Sequence, residues 1–271
     1  MSSPQPVPTP SPAPEVQPPS PTPWWKNAAV VGVVGMVGAV AAVLALFRDT
    51  IDFKIGQPDS PPSSTNIANA SGSVCSDEFY GATTGWGPDR PTNGPSDWSL
   101  QPSFNVEREN PNYGDERNFV IGKDASLGQS GSWTNDIEVV PGREYIIRIL
   151  VHNGARNQQD YVARDTRVRL EVPSCAGRSV ELRSVVEASN VYPREVWDGV
   201  VFRSPTPFKV VPVSGSADLS TNSFLSGVSL PDDLFDQGKG ALIGSTELDG
   251  NVGGDYVNVG IVLARVVIRH A

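Results

Sequence analysis

The sequence predicts an all-β fold, an antiparallel β-sandwich preceded by one transmembrane helix and a disordered Pro-rich N-terminal tail. Three observations support this prediction. The first is an uncharged apolar run at Ala28–Phe47. The second is a series of short segments after Cys75 in which apolar and polar residues alternate, as they do on half-buried strands. The third is the frequency of Gly, Pro and Asn turn signals between those segments, with no helical periodicity after Phe47.

The apolar run divides the 271-residue chain into four parts. A helix of about 20 residues spans roughly 30 Å, the thickness of the hydrocarbon core of a membrane. We therefore expect a cytoplasmic tail at 1–26, a transmembrane helix at 27–47, a flexible stalk at 48–74 and an extracellular domain at 75–271. A cleaved signal peptide is an alternative, because Ala39-Val40-Ala41 resembles a cleavage site. A buried core helix is a second alternative.

The residues around this helix predict how it sits in the membrane. Trp24, Trp25 and Lys26 combine amphipathic rings with a positive charge, which is typical of an interfacial membrane anchor. Small residues at i and i+4 spacing would let two helices approach closely and form a homodimer. These residues form two pairs, Gly35 with Ala39 and Gly38 with Ala42. The few basic residues do not decide the orientation, so the extracellular assignment rests on the cysteine pair and the β-rich domain.

Charge and cysteine content limit the partners and the compartment. The formal charge is −9, and almost all of it lies in residues 75–271. An acidic domain without a basic run argues against nucleic-acid binding. Cys75 and Cys175 lack the CxxC spacing and the nearby histidines of a zinc site. In an oxidising compartment they would form a disulfide across about a hundred residues, and two unpaired buried thiols are the alternative.

Alternation of apolar and polar residues predicts nine strands in the domain. The last of them changes its apolar phase between Leu263 and Val266, which predicts a β-bulge near Ala264-Arg265. The predicted strands are Arg117–Ile121, Asp136–Val140, Glu144–His152, Thr166–Val172, Ser179–Ala188, Glu195–Arg203, Phe208–Val213, Ala241–Gly244 and Tyr256–His270.

Part of this pattern resembles a known family. Asp136–Gly154 contains a strand, a Pro141-Gly142 turn and a Tyr-containing strand that ends in His152-Asn153-Gly154, and Val162–Pro173 supplies a further strand ending in Val-Pro. Together these stretches resemble the conserved-repeat domain of unknown function in bacterial cell-surface proteins. The variant with Val-His-Asn is similar to uncharacterised membrane-anchored proteins of high-GC Gram-positive bacteria. The resemblance covers about 114–270 and implies an immunoglobulin-like surface fold, but it implies no activity.

Few residues are candidates for chemistry. His152 precedes a turn signal, and we expect it to hydrogen-bond locally rather than to catalyse a reaction. Asp115-Glu116 is a weak candidate for paired carboxylates. The loop Asp249–Asp255 faintly resembles a calcium loop but lacks the bidentate Glu. Asp232, Asp233 and Asp236 form an acidic loop. Four tryptophans could bind sugars or fill the core, and Trp197 is the best core candidate; they are Trp86, Trp98, Trp133 and Trp197.

These observations favour a non-enzymatic membrane protein that displays its β-domain for adhesion, cell-wall association or partner binding. No cofactor motif is present, so we expect no cofactor. A wall-directed hydrolase or carbohydrate-active enzyme is the alternative, and it would require a pocket with converging polar groups at His152 or at paired carboxylates. A signalling protein whose Pro-rich tail recruits a cytoplasmic partner is a third hypothesis.

Overall fold

The computed structural model describes residues 74–94, 97–127 and 132–271. The predicted tail, transmembrane helix and nearly all of the stalk lie outside these residues, as do Trp24, Trp25, Lys26 and the small-residue pairs Gly35/Ala39 and Gly38/Ala42. Within the described ranges, no helix is long and apolar enough to cross a membrane.

The described part of the chain is mostly antiparallel β-sheet, which confirms the all-β prediction. Its helical segments are 3-10 turns at Ala125–Leu127, Gln159–Tyr161, Asp232–Phe235 and Tyr256–Asn258. The strands are β1 (Cys75–Ser76), β2 (Trp86–Gly87), β3 (Val120–Asp124), β4 (Asp136–Glu138), β5 (Glu144–Val151), β6 (Arg167–Glu171), β7 (Gly177–Glu187), β8 (Glu195–Pro212), β9 (Asp218–Thr221), β10 (Val228–Ser229), β11 (Ala241–Leu242) and β12 (Gly260–His270).

Hydrogen bonds join these strands into one network with the central order β10-β9-β12-β8-β7-β6-β11. Two predicted strands, Glu195–Arg203 and Phe208–Val213, are continuous in β8. The first half of β8 pairs with β7, and the second half pairs with β12. Pro205 and Pro207 lie between the two halves, where the chain is exposed. Proline cannot donate a ladder hydrogen bond, so its position fits the change of partner.

The core lies along β5 and β12, which are paired from Gly260↔Val151 to Val267↔Glu144 without a register shift. The predicted bulge near Ala264-Arg265 is therefore wrong. Even-numbered residues of β12 from Val262 to Ile268 are buried throughout, whereas Val257 and Val259 flank or belong to the preceding 3-10 turn. The apparent phase change thus marks the start of the strand.

The N-terminal segment of the domain is attached to β7 and β8. Cys75 and Cys175 form a disulfide with their Cα atoms 6.2 Å apart, which fits the predicted pair. Trp197 is not a core residue, because it lies half-buried on β8 with the Arg183 guanidinium 4.0 Å from its ring centroid. A Cβ atom on Gly87 would approach the Trp197 indole to 2.8 Å, so the β2–β8 contact requires glycine at that position.

Candidate functional site

A buried polar cluster lies at the end of β5. His152 directly follows this strand, and the loop before β3 brings Glu107 and Glu116 against it. Tyr256, in the 3-10 turn before β12, completes the cluster. We call these four residues the His152 cluster. They come from segments up to 149 residues apart in the chain.

His152 and Glu116 form the centre of the cluster. The Nδ1 atom of His152 is 2.7 Å from Oε1 of Glu116 and 3.0 Å from Oε2. The side chains are 1% and 0% exposed, so bulk water does not solvate this contact. Glu116 also accepts a hydrogen bond of 2.6 Å from Nδ2 of Asn110. Because the carboxylate accepts hydrogen bonds, the arrangement favours the tautomer of His152 with its proton on Nδ1.

Glu107 and Tyr256 form the second contact in the cluster. The Tyr256 hydroxyl donates a hydrogen bond to Oε2 of Glu107. The Tyr256 ring also stacks on His152, with the ring centroids 5.0 Å apart and the planes at 22°. Burial raises the pKa of Glu107, the Tyr256 hydrogen bond opposes that rise, and the charge of Glu116 adds to it. Burial and the bond to Glu107 raise the pKa of Tyr256.

Two buried atoms of the cluster have no hydrogen-bond partner, Nε2 of His152 and Oε1 of Glu107. Both residues line a cavity of about 10 Å³, which has room for roughly one water molecule. Asn93, Asp97 and Trp98 form other parts of its wall. Buried polar atoms are nearly always paired, so two unpaired atoms beside one cavity require an explanation.

Two buried asparagines hold the backbone around His152. Asn105 has a positive φ of 50°, accepts a hydrogen bond from the His152 backbone N–H and donates one to the Leu150 carbonyl. The Asn153 amide donates to the carbonyls of Tyr161 and Val252. These bonds connect the end of β5 to the loops on either side, and they fix the position from which the His152 ring extends.

The sequence-based interpretation of His152 is wrong in one respect. We expected a local hydrogen bond, whereas the side chain contacts Glu116, 36 residues away. The weak carboxylate pair Asp115-Glu116 is separated in the structure, because Asp115 forms an ion pair of 2.6 Å with Arg117 while Glu116 faces His152. The acidic partner of Glu116 in space is Glu107, which sequence reasoning missed together with Tyr256.

The other acidic candidates form hydrogen bonds within their own loop or with a neighbouring one. Both carboxylate oxygens of Asp249 accept hydrogen bonds from Asn251, and the Asp255 carboxylate caps the N–H of Tyr256. Asp232 accepts hydrogen bonds from Ser214 and Gly215. These contacts support the interpretation of both stretches as connecting loops.

The tryptophans differ in their contacts. Three stack against cationic side chains on the domain: Trp86 against Arg117 and Arg90, Trp133 against Lys123 and Arg148, and Trp197 against Arg183. Trp98 instead packs edge-on against Tyr256, at a centroid distance of 5.3 Å. Trp98 therefore belongs to the wall of the His152 cluster.

Similarity to known proteins does not indicate a function for this cluster, so its function is inferred from its geometry. No protein-family model, curated protein or solved structure matches the chain. Chemically, the His152 cluster offers one imidazole and two carboxylates at a water-sized cavity, so it can hold a proton, a water molecule or a small cation.

Proposed function

We propose that the chain is a single-pass membrane protein that displays a non-catalytic, immunoglobulin-like β-sandwich outside the cell, where it binds a cell-wall polymer or a surface partner. The observation that carries this proposal is the Cys75–Cys175 disulfide. Disulfides persist in oxidising compartments and are rare in the cytosol. Together with the apolar run at Ala28–Phe47, the disulfide favours a topology with the N-terminus inside and the domain outside.

The size of the cavity weighs against catalysis at His152. A cavity of about 10 Å³ has room for one water molecule, whereas pockets for drug-sized ligands measure roughly 300–1,000 Å³. A hydrolase acting through His152 would have to open this site before any substrate could reach the ring. The pairing of His152 with Glu116 is nevertheless the arrangement of a general base, so the hydrolase remains the second candidate.

Two exposed apolar side chains on neighbouring segments offer a binding surface. Leu100 is 68% exposed and Tyr192 is 63% exposed. The Tyr192 backbone N–H donates to the Pro102 carbonyl, and the Ser103 hydroxyl donates to the Tyr192 carbonyl, so the two segments lie side by side. We call Leu100 and Tyr192 the apolar edge. Exposed aromatic residues are enriched at binding surfaces.

The topology is tested by protease shaving of intact cells that produce the full chain, followed by mass spectrometry without reduction. We expect release of peptides from 75–271, with Cys75 linked to Cys175, because an external domain is accessible and oxidised. Protection of this region from the protease, together with free thiols, would overturn the extracellular assignment.

Sedimentation of the purified full chain with cell-wall sacculi tests the binding role. Sedimentation should carry down the wild-type chain, and Leu100→Ser with Tyr192→Ser should reduce the bound fraction. Phe224→Ser is the matched control, because Phe224 is 80% exposed on a different loop. Release of soluble wall fragments by the wild type, but not by His152→Asn, would replace the binding role with the hydrolase.

A further inference from the structure

The His152 cluster brings two buried carboxyl groups together. Glu107 and Glu116 are 4% and 0% exposed. Among the residues that the structure describes, neither carboxylate forms an ion pair with a Lys or Arg, and Glu116 contacts only His152 as a potential cation. Burying a carboxylate without a compensating positive charge costs several kcal/mol, so the fold would gain from a cation at this place.

The donor atoms are arranged for such a cation. One ligand atom from each of Glu107, Glu116 and His152 lies within 4.8 Å of the other two. With the proton of His152 on Nδ1, the two unpartnered atoms of the cluster, Nε2 of His152 and Oε1 of Glu107, are both acceptors. Unpartnered acceptors attract a cation or a donor, and the adjoining cavity has room for a water molecule as a further ligand.

From this geometry we propose that Nε2 of His152 and Oε1 of Glu107 bind one divalent transition-metal ion together with water from the adjoining cavity, while Glu116 orients the imidazole through Nδ1. An imidazole nitrogen combined with carboxylate oxygens suits Zn²⁺, Mn²⁺ or Co²⁺, whereas Ca²⁺ and Mg²⁺ prefer oxygen ligands alone. Because Nδ1 and Nε2 lie on opposite sides of the imidazole ring, Glu116 can keep its hydrogen bond to Nδ1 while an ion binds Nε2.

The surroundings indicate a structural ion. The cavity has room for a water molecule but not for a substrate, and the Tyr256 ring covers one face of His152. A metal at this site would connect the loop carrying Glu107 and Glu116 to the end of β5. It would add to the hydrogen bonds that already join these segments, such as the one from the Asn105 N–H to the His152 carbonyl.

The first test uses the full wild-type chain labelled with ¹⁵N at histidine. The chain has only two histidines, His152 and the exposed His270, so their ring signals are readily assigned with His270→Asn. After treatment with EDTA, one equivalent of Zn²⁺ should shift the ring signals of His152 and leave those of His270 in place. Unchanged His152 signals at excess Zn²⁺ would overturn the proposal without any variant that might misfold.

The second test measures stoichiometry and affinity by calorimetry and by metal analysis after gel filtration. The wild type should retain one Zn²⁺ per chain, and Glu107→Gln should weaken its binding by more than about tenfold. Glu109→Gln is the matched control, since Glu109 is exposed and two residues away. Equal binding by the wild type and Glu107→Gln would place the ion elsewhere and overturn the assignment. A melting temperature of the wild type that Zn²⁺ does not raise would contradict the structural role of the ion.

Discussion

Two buried charged groups in this domain differ in how the fold satisfies them. The Arg203 guanidinium, 6% exposed, donates to both carboxylate oxygens of Asp136 and to the carbonyls of Phe79 and Ala82. The His152 cluster is equally buried, yet it brings two carboxylates together and leaves Nε2 of His152 and Oε1 of Glu107 without partners. Arg203 uses four of its five N–H donors, and all three of its nitrogens have an acceptor, whereas the cluster leaves two acceptor atoms without a donor.

This difference distinguishes a charged group that stabilises the fold, Arg203, from a group of residues available to bind a ligand, the His152 cluster. A buried charge is tolerated when geometry and hydrogen bonds compensate its loss of solvation. Arg203 achieves this with groups of the chain itself, and in doing so it fastens the segment around Phe79 and Ala82 to β8. The His152 cluster requires something that the chain does not supply, and the proposed metal ion would provide it.

The largest effect that we predict is at Arg203. Arg203→Met leaves the carbonyls of Phe79 and Ala82 without a donor, so we expect it to lower the free energy of unfolding by about 2–5 kcal/mol. Arg203→Lys should cost less, because it keeps the charge but cannot form the paired contact with Asp136. Urea unfolding of the full chain, followed by tryptophan fluorescence, measures both changes.

A matched surface pair controls for the loss of an arginine. Arg143 is 58% exposed and forms an ion pair with Asp124. Because solvent screens such pairs, Arg143→Met should change the free energy of unfolding by less than about 1 kcal/mol. If Arg203→Met and Arg143→Met had equal effects, Arg203 would not be the structural attachment point that its contacts indicate.

An intermediate effect is expected at Tyr256. In EDTA-treated protein, Tyr256→Phe removes the hydroxyl that donates to Glu107 and leaves a second oxygen of that carboxylate unpaired. We expect a loss of about 1–3 kcal/mol in the free energy of unfolding. Tyr192→Phe, at an exposed tyrosine, should stay within about 0.5 kcal/mol of the wild type. If Tyr256→Phe left the free energy of unfolding unchanged, Glu107 would not need the Tyr256 hydroxyl as a donor. The carboxyl group would then be better hydrogen-bonded than its contacts indicate.

The sequence predicted the strands better than it predicted the site. Alternation identified β5, β6 and β7 within a few residues, because a buried face imposes a period of two on the local sequence. The continuity of β8 was missed, since Pro205 and Pro207 resemble a break. Trp197 was predicted to lie in the core, but its indole is half-buried and packs against the Arg183 guanidinium instead. No local sequence pattern shows that β8 continues through its prolines or that Trp197 lies outside the core.

The His152 cluster could be predicted only in part. His152 stood out because the chain has two histidines, and Glu116 because it adjoins Asp115. The contact that defines the cluster joins Glu107 to Tyr256 across 149 residues. Such a pairing depends on how the loop before β3 folds over β5 and β12, and neither residue carries a motif that would indicate its partner.

The smallest predicted effect concerns an exposed carboxylate that accepts hydrogen bonds from a neighbouring loop. Asp232 accepts a hydrogen bond of 2.8 Å from the Gly215 N–H and another from the Ser214 hydroxyl, and these bonds hold its pKa below the usual value. Because the folded pKa is lower than the unfolded one, the contribution of Asp232 to stability is present above about pH 4 and is lost as the pH falls through the folded pKa. A ¹³C titration of the Asp232 carboxyl carbon should give this lowered pKa. Ser214→Ala should move it towards the ordinary value, since one of two donors is removed. If the pKa of Asp232 were unchanged in Ser214→Ala, the Gly215 N–H alone would hold the carboxylate, and the loop would need only its backbone to satisfy the charge.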